Sequence, residues 1–259
     1  MKIGNPKDSL VLFGLADQFN LLVNLYKSNK FPKTLMLSGE KGSGKFTLIN
    51  HFLTFLNDEK NYDLKNKKIN NQSDFYKQHY NNVFPNIIHI EGKNFKNISV
   101  EDIRELKSKL HKTNISNKNR YIILDDIETF NINTLNALLK LIEEPSLKNY
   151  FILINNKTKK LIDTVQSRSL EFKILLTKKK RSDIIKSLIN LNNLNIFIDY
   201  NFFNLTPGNF LFFNQVFQDN EINIEDDYIK NLTILINMYH KNKDTNITNI
   251  ILFLTDYYF

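Results

Sequence analysis

Cysteine and tryptophan are absent from the 259 residues, while alanine occurs twice, arginine four times, proline five times and glycine seven times. Without cysteine there is no disulfide framework, no thiolate nucleophile and no Cys-ligated zinc or iron–sulfur centre. No apolar run approaches the ~18 residues of a membrane-spanning helix. The start, Met1-Lys2-Ile3-Gly4-Asn5-Pro6, leads into no signal-peptide hydrophobic stretch. These absences lead us to expect a soluble, cytoplasmic protein with no membrane partner. What is present suffices for a core: 42% of residues are hydrophobic and 24% charged, a balance that suits one large domain or two small ones.

The net charge of +8 invites a nucleic-acid reading, but 31 of the 35 basic residues are lysine, and asparagine occurs 39 times. Lys, Asn, Ile and Phe have A/T-rich codons, whereas Ala, Arg, Gly and Pro have G/C-rich ones. The composition is that of a chain under A+T pressure, with most lysines on solvated surface. An Arg, Gly or Pro retained under that pressure has a physical reason to be there.

Hydrophobic spacing predicts alternating helices and strands over the first two-thirds. Phe19, Leu22, Val23 and Tyr26 share one helix face. Leu48, Phe52 and Phe55 mark a second helix, and Ile103, Leu106 and Leu110 a third that Ser99 and Asp102 start with a box-like cap. Leu135, Leu138, Leu139 and Ile142 mark a fourth, ended by Glu143-Glu144-Pro145. Short apolar runs at 34–37, 87–90, 121–124, 150–154 and 170–174 predict strands, the last three of them buried. Asn57 to Asn86 is polar and reads as a surface insertion. Beyond Lys178 the pattern is helical only, with helices expected around 184–189, 210–217, 227–240 and 246–258. This is an α/β fold with a parallel sheet covered by helices on both sides.

Between the first strand and its helix stands Gly39-Glu40-Lys41-Gly42-Ser43-Gly44-Lys45, of the form G-x-x-x-x-G-K. Gly39, Gly42 and Gly44 let backbone N–H groups curl around a phosphate, and Lys45 adds a point charge at a helix N-terminus. The next residue should carry the hydroxyl that binds Mg²⁺, yet it is Phe46. Thr47 lies about 100° further round the helix and does not simply take its place. Asp125 ends a buried strand as a metal-orienting carboxylate would. Asp126 follows it where a hydrolytic site wants the longer Glu, unless it is only a solvated strand-end carboxylate.

Leu124-Asp125-Asp126, the helix Asn136-Ala137-Leu138-Leu139-Lys140-Leu141-Ile142-Glu143-Glu144-Pro145 and Ser167-Arg168-Ser169 resemble the clamp-loader branch of the AAA+ proteins. Within that branch they are most similar to the delta-prime family of bacterial DNA polymerase III subunits. Asn5-Pro6, Leu12-Phe13-Gly14 and the glycine loop extend the resemblance, which runs from about Asn5 to Phe217. Ala137, one of the two alanines, lies inside the motif, where close helix packing would exclude a larger side chain.

The resemblance implies a P-loop AAA+ domain over 1–176, a helical lid over 177–218 and a short helical tail, a reduced collar, over 219–259. It implies that Arg168 is an arginine finger reaching into a neighbour's ATP site, the family's Ser-Arg-Cys motif having Ser169 in place of Cys. Asn155 or Asn156, with Asn156 favoured, occupies the sensor-1 position, and Thr206-Pro207-Gly208-Asn209 stands where motor subunits have a sensor-2 arginine. The four-cysteine zinc module of the motor subunits has no counterpart. His79 and His89 alone do not make a tetrahedral site, so no zinc is expected.

The expected role is a stator: no ATPase of its own and no required cofactor, although the P-loop is compatible with ATP or ADP held without hydrolysis. Its implied partners are the tau/gamma motor and delta subunits, the sliding clamp and, through the complex, primer-template DNA. The aromatic end, Phe253, Tyr257, Tyr258 and Phe259, is expected to be buried in the lid or against a partner. Two alternatives stand beside this reading. One is an active motor subunit that tolerates Phe46 and Asp126. The other is a basic nucleic-acid-binding module using the lysine runs at 157–160 and 178–181.

Overall fold

The computed structural model describes residues 5–92, 98–111, 118–200 and 204–259. They form two compact units, Asn5–Leu175 and Leu176–Phe259. In the first, a helical turn at Pro6–Asp8 leads to α1 (Ala16–Lys27), β1 (Thr34–Ser38), α2 (Lys45–Asn57), the strand pair β2 (Tyr62–Asp63) and β3 (Lys68–Ile69), and α3 (Asp74–Tyr80). Then follow β4 (Ile87–Glu91), α4 (Val100–His111), β5 (Arg120–Asp125), α5 (Ile132–Glu143), β6 (Asn149–Asn155), α6 (Asp163–Gln166) and β7 (Leu170–Lys173).

The main sheet has the order β4-β5-β6-β1-β7 with every pairing parallel. All of β1, and β5 up to Leu124, is buried, as continuous apolar runs between two helical layers should be. The inner strands fit that expectation, but β7 does not. Leu170, Glu171 and Lys173 are exposed because β7 is an edge strand, and its alternating Leu-Glu-Phe-Lys pattern is an edge pattern rather than a buried run.

Asn57 to Asn86 also departs from the expected surface insertion. Tyr62, Ile69, Phe75 and His79 are buried, and Tyr62 stacks on Phe19 with ring centroids 5.4 Å apart. His51 Nδ1 lies 3.0 Å from the Tyr62 hydroxyl, and His79 Nε2 lies 2.8 Å from Asn50 Oδ1. This segment covers the face of α2 that the sheet leaves open, which is why α2 is buried almost all round. Its anchors are too sparse and irregularly spaced to register as a period. Burial holds both imidazoles neutral, with His51 pushed down to about 4 and His79 to about 3.

Local sequence sets the helix ends. Ser99 Oγ accepts from Asp102 N (3.2 Å), while Asp102 Oδ2 accepts from Ser99 N (2.7 Å), a reciprocal cap. Asn131 Oδ1 accepts from Thr134 N at 2.9 Å to start α5. Ala137, in the middle of α5, is half-buried.

The second unit holds α7 (Lys178–Asn192), α8 (Pro207–Asp219), α9 (Tyr228–Asn242) and α10 (Thr245–Tyr258), capped by Thr177, Thr206, Asp227 and Asp244 in turn. Phe213, Phe217, Leu235, Ile250, Phe253 and Leu254 form its core. Of the aromatic end, Phe253 is buried and Tyr257 and Tyr258 are half-buried. Phe259, one residue beyond the end of α10, is 93% exposed, so within this chain it is not buried in the helical unit. Among the described residues no helix is long and apolar enough to cross a membrane.

Candidate nucleotide site and surface arginine

The C-terminal ends of parallel strands, where helix N-termini and loop amides converge, are where α/β sheets hold ligands. Here the loop from β1 to α2 passes over that edge. A Cβ on Gly39 would lie 2.4 Å from the Ile174 carbonyl oxygen, so only glycine fits. Gly44 has φ +86° and turns the chain into α2. Lys45 folds back beneath the loop: its Nζ donates to the carbonyls of Gly39 (2.8 Å) and Glu40 (2.7 Å) and to Ser43 Oγ (3.3 Å). Burial lowers its pKa to about 8, against the opposing pull of Asp125, Glu128, Asp126 and Glu40.

Phe46 is buried, its ring centroid 4.8 Å from that of His89 on β4. An aromatic ring therefore stands at the position that would carry the Mg²⁺ hydroxyl. Thr47 is half-exposed on another face of α2. Asp125 ends β5 with its pKa raised to about 7, first by burial and then by the neighbouring Asp126 and Glu91 charges. Asp126 has φ +54°, and its N–H donates to Asp125 Oδ1 at 2.8 Å. Asn156 closes the group: its Nδ2 donates to Asp126 Oδ1 (2.6 Å) and reaches Asp125 Oδ1 (3.4 Å). Asn155 turns inward instead, its Oδ1 accepting from Lys157 N at 2.9 Å. The structure thus brings Lys45, Asp125, Asp126 and Asn156 around one corner, with Gly39, Gly42 and Gly44 above it. These residues do not suit Mg²⁺: the hydroxyl is replaced by a ring and the acidic pair is engaged by N–H donors.

Sequence reading missed Glu128. It is 5% exposed, and its carboxylate accepts from Asn156 N (3.1 Å), Thr158 N (3.3 Å) and Thr158 Oγ1 (2.8 Å). It holds the loop that carries Asn156. A lone Glu in a short turn looks like any solvated carboxylate; its place three residues after Asp125 was the only available signal.

Arg168 lies apart from this corner. It follows α6 in the turn Ser167-Arg168-Ser169, where Ser169 Oγ donates to the Val165 (3.1 Å) and Gln166 (3.2 Å) carbonyls. Its side chain is 35% exposed; Nε donates to Glu143 Oε1 and Nη1 to the Thr164 carbonyl at 3.0 Å. Its partners all lie on α5 and α6. Asn209, in the second unit, is half-buried in the first turn of α8, its N–H 3.4 Å from Thr206 Oγ1. Among the described residues no three His, Cys, Asp or Glu side chains form a metal-binding group.

A parallel sheet in this order with a glycine-lysine loop at the C-terminal ends of its strands defines a P-loop α/β protein. Residues 14–178 match the family model described as DNA polymerase III, delta subunit, and the chain belongs to that family. It is 27% identical over 177 residues to the DNA polymerase III subunit delta' of Buchnera aphidicola subsp. Schizaphis graminum, covering 65% of this chain and 50% of that protein. It is 29% identical over 170 residues to the subunit gamma/tau of Mycoplasma genitalium, covering 66% of this chain and 27% of that protein. The chain spans about half the length of the delta' relatives it matches first. A gamma subunit-related protein from Thermotoga maritima superposes with a TM-score of 0.45 at 19% identity, over 66% of this chain and 52% of that one.

Proposed function

We propose that this chain is the stator of a replicative clamp loader. In this reading Arg168 enters the ATP site of an adjacent motor subunit, while the chain's own P-loop corner does not hydrolyse ATP. The observation that carries it is the contrast in chemistry between the two places. The residues that would run hydrolysis are replaced or engaged with one another, namely Phe46, Asp125, Asp126 and Asn156. Arg168, by contrast, is a solvent-facing guanidinium within a family motif. A guanidinium set against a transferring γ-phosphoryl is worth roughly 10³–10⁵ in rate when supplied in trans. Family membership and the delta' relatives support the assignment to the DNA polymerase III clamp loader. On this reading the partners are tau/gamma and delta subunits, with the sliding clamp and primed DNA reached through the complex. The lid role of α7 and α8 and the reduced-collar role of α9 and α10 belong to the same proposal. So does the P-loop as a seat for ATP or ADP that is not turned over.

The test is reconstitution with the motor and delta subunits of the same cell. A stoichiometric complex should form, and Arg168→Ala should lower its ATP hydrolysis without dissolving it. Unchanged hydrolysis in that variant would remove the finger. Turnover of Mg-ATP by the isolated chain, abolished by Lys45→Ala, would favour a motor subunit instead.

A further inference from the structure

Arginine has five N–H donors, and how they are spent decides what the side chain can still bind. In Arg168 the base of the guanidinium is gripped from two sides, Nε by Glu143 Oε1 and Nη1 by the Thr164 carbonyl. One Nη1 hydrogen and both Nη2 hydrogens have no partner among the described residues, so the terminal fork remains available. A fork of this kind matches the oxygens of a phosphate.

Glu143 is the last residue of α5, where the helix carbonyls repel a carboxylate. The macrodipole disfavours an acid there, and pairing with Arg168 offsets that cost. The pair joins α5 to the turn after α6 and is partly exposed on both sides, 35% for Arg168 and 42% for Glu143. It is therefore weak as a stability element, yet it sets the direction of a long side chain that would otherwise sample many rotamers. Thr164 adds a second fixed point, and Ser169 holds the turn below it.

We infer that Glu143 is a positioning residue for Arg168, fixing Nε so that the Nη1/Nη2 fork is presented outward to a phosphate anion held by a neighbouring subunit. This rests on the finger reading of Arg168, and the experiment separates the two. Full-length chain, wild type or variant, is assembled with the motor and delta subunits, and steady-state ATP hydrolysis is resolved into kcat and KM. Arg168→Ala sets the floor. Glu143→Ala should lower kcat by about 10- to 100-fold, the cost of displacing a reacting group by around an ångström, with KM for ATP unchanged. Glu143→Gln, which keeps an acceptor for Nε, should lie between wild type and Glu143→Ala. The double variant should be no slower than Arg168→Ala alone, because Glu143 would act only through that arginine.

Wild-type kcat in Glu143→Ala, or a double variant slower than Arg168→Ala, overturns the positioning role and leaves the finger standing. A wild-type rate in Arg168→Ala overturns both. Should Glu143→Ala fail to assemble, Glu143→Gln decides: a reduced kcat at unchanged KM supports the inference, and a wild-type kcat ends it.

Discussion

The P-loop corner and the Arg168 corner hold comparable chemistry and use it in opposite ways. At the first, Lys45 is spent on its own loop's carbonyls, Asp126 on Asn156, and Glu128 on the backbone that carries Asn156. Lys45 and Glu128 are buried there and satisfied from within the chain, which makes them part of the fold's stability. At the second, a guanidinium is tied at two donors and keeps the others for solvent or a partner. Groups satisfied internally build a protein, and groups left half-satisfied at a surface are available to bind something else.

This contrast can be broken by experiment. The largest expected effect is on catalysis in the assembled complex. Arg168→Ala should lower ATP hydrolysis about 10³-fold or more, whereas disabling the P-loop with Lys45→Ala should leave assembled complexes that hydrolyse ATP at nearly the wild-type rate. Equal losses from both variants would erase the asymmetry. Next comes stability. Gly39→Ala drives a methyl into the Ile174 carbonyl and should cost about 2–4 kcal/mol in chemical denaturation. Glu128→Ala leaves two backbone N–H groups without their acceptor and should cost about 2 kcal/mol by the same measurement.

A smaller effect should appear in pH dependence. Asp125 has its folded pKa raised to about 7 from 3.8. The cost of ionising it in the fold is therefore fully present above pH 7 and is relieved as the pH falls toward 4. Asp125→Asn should have a higher melting temperature than wild type at pH 8, with the gap narrowing by pH 5; a gap independent of pH would contradict the buried, crowded carboxylate. Smallest of all, Arg168→Ala in the isolated chain should change stability by no more than about 1 kcal/mol, because the ion pair it removes is partly exposed. A larger loss would make Arg168 a structural residue.

The inner strands were legible because their apolar runs are continuous and separated by amphipathic helices. In β7 the Leu and Phe suggest a buried run, but Glu171 and Lys173 alternate with them, and only pairing partners reveal that the strand lies at the edge. Residues 57–86 looked like solvated surface because Tyr62, Ile69, Phe75 and His79 are scattered among polar neighbours. Their burial comes from packing against α2 and, for Tyr62, against Phe19 of α1, contacts that no period within the segment itself displays. At the site, the glycines, Lys45 and Asp125 follow a spacing that chemistry requires, so they stood out. Glu128 did not, since its importance lies in whose N–H groups it meets.

The order of residues determined the P-loop, the missing hydroxyl at Phe46, the parallel α/β class and the motif around Arg168, because each is a local matter of residue type and spacing. Tertiary structure alone decided that Asn156 rather than Asn155 meets the acidic pair, that Glu128 is buried, and that Glu143 holds Arg168. Those are contacts between segments far apart along the chain, and their geometry exists only once the sheet has brought the ends of its strands to one edge.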